Sequence, residues 1–237
     1  MSTESPSSTK GRQFDELLDF YRPQRDGEPN LFQIWEEGGS REDSVTPSTY
    51  SSRYRTWMCD KLVRHLRDTG ETGILSLGCG NAAVEAELVR AGHRVVAIDA
   101  MAEAVELARA KGVEAIQADL TDWVPSEPWS LIYMDGVLGH LYTPEVGLGP
   151  ILRRIRSWLV PGPTGVATFV ASNDDTRDGS PAQPAPKVRG FHWLATGYIG
   201  EQALAAGFDS VEIEHFSYQR PLSGDRRRSV IAAHVRP

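Results

Sequence analysis

Apolar positions change their spacing near Gly70. Before it they recur with a helical period. Phe14, Leu17, Leu18 and Tyr21 predict a short helix ended by Pro23 and the Asp26-Gly27 pair, and Tyr54, Trp57, Met58, Leu62, Val63 and Leu66 predict a long one over residues 48–68, stopped at Gly70. Between them, residues 30–47 mix Leu31, Phe32, Ile34 and Trp35 with Gly38-Gly39, charges and a proline, which reads as an irregular segment suited to a mobile cover. Residues 1–11 are rich in Ser and Thr with nothing to bury, and are expected to be a disordered tail.

Beyond Gly70 short apolar runs alternate with amphipathic stretches. Strands are predicted at residues 74–77, 94–98, 113–117, 129–134 and 165–171, with helices at 82–91, 102–110 and 151–159 between them. A helix at 198–206 and two further strands, 210–218 and 229–235, joined by a Ser223-Gly224-Asp225 turn, close the chain. Such alternation is the mark of an α/β, doubly wound, Rossmann-like sheet, mostly parallel, with seven strands in all. Three segments follow: a tail (1–11), an N-terminal helical lid (12–70) and a core (71–237). The core carries a loop insertion, 172–190, too long and too rich in Pro and Asp for an ordinary connector, and so either disordered or functional.

Composition narrows the function classes. With 237 residues, 40% hydrophobic and 24% charged, the chain can build one large core. A net charge of -7 argues against nucleic acid as the main partner, and Arg226-Arg227-Arg228 reads as a solvated turn. Cys59 and Cys79 show neither disulfide-framework nor metal-ligand spacing, so no metal is expected, and a reducing, cytoplasmic setting is. There is no apolar run long enough to span a membrane. Oligomeric state stays open.

The candidate chemistry begins where the first core strand runs into Leu77-Gly78-Cys79-Gly80-Asn81-Ala82-Ala83 and a helix. Glycines at 78 and 80 allow a tight turn and a close approach of ligand to a helix N-terminus. Asp99 ends the second strand, placed to accept from a ribose diol. Asp119, ending the third, can accept from the exocyclic amine of adenine. Two carboxylates at consecutive strand ends suit one nucleoside better than a dinucleotide.

These residues, with LSLGCGNA, VVAIDA, AIQADLTDW and SLIYMDGVLGHL in order, resemble the class I S-adenosylmethionine-dependent methyltransferases of the small-molecule type. The resemblance implies S-adenosyl-L-methionine as cofactor, a small-molecule methyl acceptor and an antiparallel last strand. It further implies that Gly78 and Gly80 approach the methionine part, Asp99 with Ala100 holds the ribose, Asp119 and Leu120 frame the adenine, and Met134 and Tyr54 complete the cofactor wall. Ser76 and Ala82 depart from the family, which usually has an acidic residue and a third glycine there. A backbone carbonyl or the N-terminal segment is then expected to anchor the methionine amino group.

For the transfer step, His140 after the fourth strand is the candidate base, and Asp135 is the group to hold an amine or orient that histidine. Tyr21, His192 and Trp193 are the candidate acceptor contacts. The expected reaction is methylation of an amine nitrogen in specialised metabolite biosynthesis. The alternatives are O-methylation, a nicotinamide-dependent oxidoreductase and a non-catalytic methyltransferase-like protein.

Overall fold

The computed structural model describes residues 18–186, 188 and 190–236. The predicted tail and the Phe14–Leu17 part of the first helix lie outside them, and residues 18–21 form one helical turn. The apolar patch expected to be irregular is instead helix α1 (Leu31–Glu36), because Asn30 and Gln33 form a reciprocal capping box that satisfies its first amides. The long predicted helix is two. α2 (Pro47–Tyr50) ends at extended Ser51, whose hydroxyl accepts from the Tyr54 amide and starts α3 (Ser52–Thr69). Tyr54, Met58, Leu62 and Leu66 form the buried face of α3.

The core then alternates β1 (Gly73–Leu77), α4 (Ala83–Arg90), β2 (Arg94–Asp99), α5 (Ala102–Ala110), β3 (Glu114–Gln117), β4 (Leu131–Asp135), α6 (Leu138–Leu141), α7 (Gly149–Trp158) and β5 (Ala167–Asp174). A hairpin, β6 (Ala182–Pro184) and β7 (His192–Leu194), leads to α8 (Thr196–Ala205), β8 (Ser210–Arg220) and β9 (Gly224–Val235). The main sheet has seven strands in the order β3-β2-β1-β4-β5-β9-β8, with β9 antiparallel to both neighbours. The apolar runs of β1, β4 and β5 are buried because helices cover both faces.

Three expectations need correcting. Trp129 precedes β4 and only bridges Leu159, since its amide donates to the Trp158 carbonyl and its carbonyl accepts from the Val160 amide. The 172–190 stretch is no plain loop: β5 runs on to Asp174, and β6 pairs with β7 to bury Trp193 and Leu194. Arg226-Arg227-Arg228 is no solvated turn. It lies inside β9, where register sets Arg228 across from Asp174, and only Arg227 is exposed.

The N-terminal segment packs down on this core. Leu31, Phe32 and Trp35 join Met101, Ala104, Phe191 and Trp193 in one apolar cluster, and Trp35 donates its indole N–H to the Ser44 carbonyl at 2.6 Å. Asp43 ties the segment to the far end of the sheet, accepting from the Leu222 and Ser223 amides while its carbonyl receives Arg220.

Candidate active site

Parallel strands end their carboxyl edges together, so the turns after β1, β2, β3 and β4 open onto one cavity of about 610 Å³. The glycine loop is its floor. Gly78 sits at φ +73°, and a Cβ there would fall 2.5 Å from Val137, so a side chain is barred by both backbone and space. The Gly78 amide donates to the Ile98 carbonyl at 2.7 Å, fixing the loop to β2. Ala82 takes the same left-handed region (φ 50°), an unusual choice costing on the order of 1 kcal/mol, and is fully buried.

Asp99 braces this floor. Its carboxylate accepts from the Gly80 amide at 2.9 Å and the Met101 amide at 3.0 Å, leaving lone pairs for a ligand. Burial pushes its pKa up, and the backbone amides of Met101, Gly80 and Ala100 pull back without cancelling the effect. Asp119, half-buried, accepts from the Thr121 amide at 2.8 Å in a local turn, and Arg154 holds that turn through the Thr121 and Trp123 carbonyls.

At the opposite end, α6 leaves β4 with His140 in the cavity wall. Its Nε2 lies 3.2 Å from the Tyr21 hydroxyl, and its ring is 4.7 Å from that of Phe191. Burial lowers the His140 pKa to about 4 and raises that of Tyr21, so both are neutral at pH 7. The Tyr21–His140 hydrogen bond therefore joins two neutral groups. Gly139 permits the covering hairpin to come this close: a Cβ would meet the His192 carbonyl at 2.3 Å.

A methyltransferase domain family matches residues 74–162, the stretch from β1 through the loop after α7. Over 226 residues, covering 93% of this chain and 88% of the relative, the sequence is 40% identical to a tabtoxin biosynthesis enzyme of Pseudomonas amygdali pv. tabaci. The chain belongs to the class I S-adenosylmethionine-dependent methyltransferases. Among solved folds, a 1,6-didemethyltoxoflavin N1-methyltransferase of Burkholderia thailandensis superposes with a TM-score of 0.63 at 18% identity, covering 98% of this chain and 92% of that one. A putative O-methyltransferase of Nostoc punctiforme does so at 0.59 and 12%, covering 98% and 70%.

In this methyltransferase, whose cofactor is S-adenosylmethionine, the structure gathers Gly78, Gly80, Asp99, Ala100, Asp119, Leu120, Asp135, His140 and Tyr21 around one cavity. Four predicted contacts fall elsewhere. Met134 points into the apolar core beneath the sheet edge. Tyr54 is buried behind the wall, donating to Asp135 at 3.1 Å. His192 packs with its ring centre 5.0 Å from that of Tyr142 at a tilt of 58°, and Trp193 is enclosed with the Arg226 guanidinium 3.5 Å from its ring centre. Tyr54 is predicted from its place on the long N-terminal helix, and His192 and Trp193 from following the Asp/Pro loop; α3 and the β6–β7 hairpin turn these side chains onto other protein groups instead.

Asp135 also departs from expectation, since Tyr21 and not Asp135 meets His140. Its Oδ1 accepts from Arg228 at 2.6 Å, from Tyr54 and from Ser172. Burial pushes its pKa up, but the Arg228 guanidinium and these hydrogen bonds outweigh that and hold it below the usual carboxylate range. Sequence reasoning missed Glu85, Phe32 and Trp35, which also line the cavity. The signal for Glu85 was an acid between Val84 and Ala86 on the apolar opening of α4; for the aromatics it was the Asn30/Gln33 capping pattern.

Proposed function

We propose that this methyltransferase transfers the methyl group of S-adenosylmethionine to a nitrogen of a small acceptor in specialised metabolite biosynthesis. The neutral Tyr21–His140 pair at the acceptor end carries the reading. Displacement at the sulfonium needs alignment first, and a neutral amine attacks without shedding a proton in the transition state. A hydroxyl must lose its proton during attack, and an imidazole with a pKa near 4 is a poor base for that. The kinship with a tabtoxin biosynthesis enzyme and the fold shared with a toxoflavin N1-methyltransferase support a specialised metabolite as acceptor.

The cofactor would lie along the sheet edge, adenine by Asp119 and Leu120, ribose by Asp99 and Ala100, and the methionine part over Gly78 and Gly80. The apolar rings of Phe32 and Trp35 close the cavity above the loop, where they exclude water from the sulfonium. His140 and Tyr21 orient the acceptor. The test is a pair of pH–rate profiles, for wild type and His140→Ala. With an amine acceptor held in line by His140 and Tyr21, both proteins gain rate as the acceptor ammonium loses its proton, and the variant is slower by about the same factor at every pH. A wild-type rate that falls as one group protonates near pH 4, with that limb missing and the rate down by roughly 10²–10⁴-fold in the variant, shows His140 acting as base on a hydroxyl and overturns the reading.

A further inference from the structure

Glu85 is a cavity carboxylate that the assignments above leave unused. It stands in the first turn of α4 with only 4% of its surface exposed, and its Oε1 accepts from the Ser76 hydroxyl at 2.6 Å. Among the described residues it forms no ion pair, and Lys111, whose charge reaches it, is bonded to Glu36 and the Asn81 carbonyl. Of the other carboxylates of the cavity, Asp99 and Asp119 are met by backbone amides and Asp135 by Arg228, while Asp122 is exposed. A buried carboxylate met by one hydroxyl and its own backbone amide, with no cation paired to it, has a place for one.

Position says which cation. Ser76 lies in β1, in register with Ala97 of β2 and Tyr133 of β4. The strand order β3-β2-β1-β4 puts adenine and ribose over β3 and β2, so the amino-acid end of the cofactor falls over β1, beside the Ser76–Glu85 pair. We propose that Glu85, carried by α4 to Ser76, is the anion that receives the α-ammonium group of S-adenosylmethionine. This replaces the backbone carbonyl or N-terminal residue expected from sequence, and it rests on the assignment of the cavity to that cofactor.

Binding then moves a proton. Burial raises the Glu85 pKa to about 7, with the Ser76 hydroxyl opposing, so a fraction of the free enzyme is protonated there at neutral pH. The arriving ammonium favours the carboxylate, and the proton leaves to solvent. Around it, Tyr133 on β4 and Cys79 in the loop are pushed well above neutrality, and Cys59 on α3 up to about 12. Asp135 is held ionised by Arg228, and Lys111 is paired with Glu36. None of these competes for the proton near pH 7.

The experiment is titration calorimetry with S-adenosylhomocysteine and with 5′-methylthioadenosine, which keeps the nucleoside thioether and lacks the amino-acid group. In Glu85→Gln, affinity for S-adenosylhomocysteine should fall about 10–100-fold while that for methylthioadenosine stays within about twofold. In buffers of different ionisation enthalpy at pH 7, wild type should release protons with the first ligand only. Unchanged affinity in Glu85→Gln, or equal losses for both ligands, overturns the proposal. If Glu85→Gln folds poorly, the wild-type proton counts decide: equal release with both ligands refutes it. A wild type that binds neither nucleoside overturns the cofactor assignment itself, and the proposal with it.

Discussion

Asp99 and Glu85, on the β2 and β1 side of the sheet edge, are met by backbone amides and a serine hydroxyl, whereas Asp135 and Asp174, on the β4 and β5 side, are met by arginines. Arg228 reaches both of the latter, and Arg220 adds a second ion pair to Asp174 at 2.7 Å, with Tyr218 donating to the same group. Burial is comparable on the two sides, yet the pKa values move apart. Burial wins for Asp99 and Glu85 and raises them; the arginines win for Asp135 and Asp174 and lower them. Carboxylates already matched to cations hold the fold, and those left with neutral donors are open to a ligand.

The largest effect should come from breaking the matched side. Arg228→Leu removes the guanidinium shared by Asp135 and Asp174 and leaves buried charge uncompensated, so unfolding free energy should drop by about 3–5 kcal/mol. Chemical denaturation measures it. A loss below about 1 kcal/mol would mean the arginine network does not hold this half of the sheet.

Next comes the pH dependence of stability, where the two sides have opposite signs. Asp135 and Asp174 have depressed folded-state pKa values, so their contribution is present above the unfolded carboxylate pKa near 4 and is lost as pH falls through the folded values. Glu85 is raised to about 7, so its contribution is full below the unfolded pKa and is lost as pH climbs to about 7. Subtracting the stability of Glu85→Gln from that of wild type should therefore leave a difference that shifts by up to about 3 kcal/mol between pH 4 and pH 8. A flat difference would place Glu85 in a wetter setting than its burial indicates.

Binding separates the sides at a smaller scale. Asp99→Asn should weaken S-adenosylhomocysteine by about 1.5–3 kcal/mol with little change in melting temperature. Asp135→Asn should do the reverse, lowering Tm more than affinity, because its Oδ1 already serves Arg228, Tyr54 and Ser172. Equal effects of both variants on affinity would erase the distinction.

The unmatched side was the legible one. Glycines 78 and 80 and the carboxylates at residues 99 and 119 recur at strand ends, so local pattern alone put them at one edge. The matched side depends on pairing between β5 and β9, elements separated by some fifty residues, and only register reveals that Arg228 faces Asp174. A run of three arginines looks solvated until alternation along a strand buries two of them. Tyr54 and Trp193 show the same limit from the other direction. Their type and position suggested ligand contact, and packing against Asp135 and Arg226 claimed them instead. Glu85 was hidden for a subtler reason: the absence of an acid at Ser76 was plain, but only the fold shows α4 returning one to the same spot.

The smallest effect tests the neutral pair that belongs to neither side. Tyr21 and His140 carry no charge at pH 7, so their hydrogen bond should orient the imidazole without the cost of burying a charge. Tyr21→Phe keeps the ring and its stacking on Phe32 at 5.2 Å, and removes only the hydroxyl. The expected cost is about 0.5–1.5 kcal/mol in kcat/KM, up to roughly tenfold, with S-adenosylhomocysteine affinity unchanged. Hydrogen exchange across residues 21–54 should slow on ligand binding in wild type and variant alike, because Phe32, Trp35 and Asp43 tie that segment down independently of the hydroxyl. If Tyr21→Phe instead abolishes that protection, the Tyr21–His140 bond is what latches the cover, and its role is in closing the cavity rather than in aligning the acceptor.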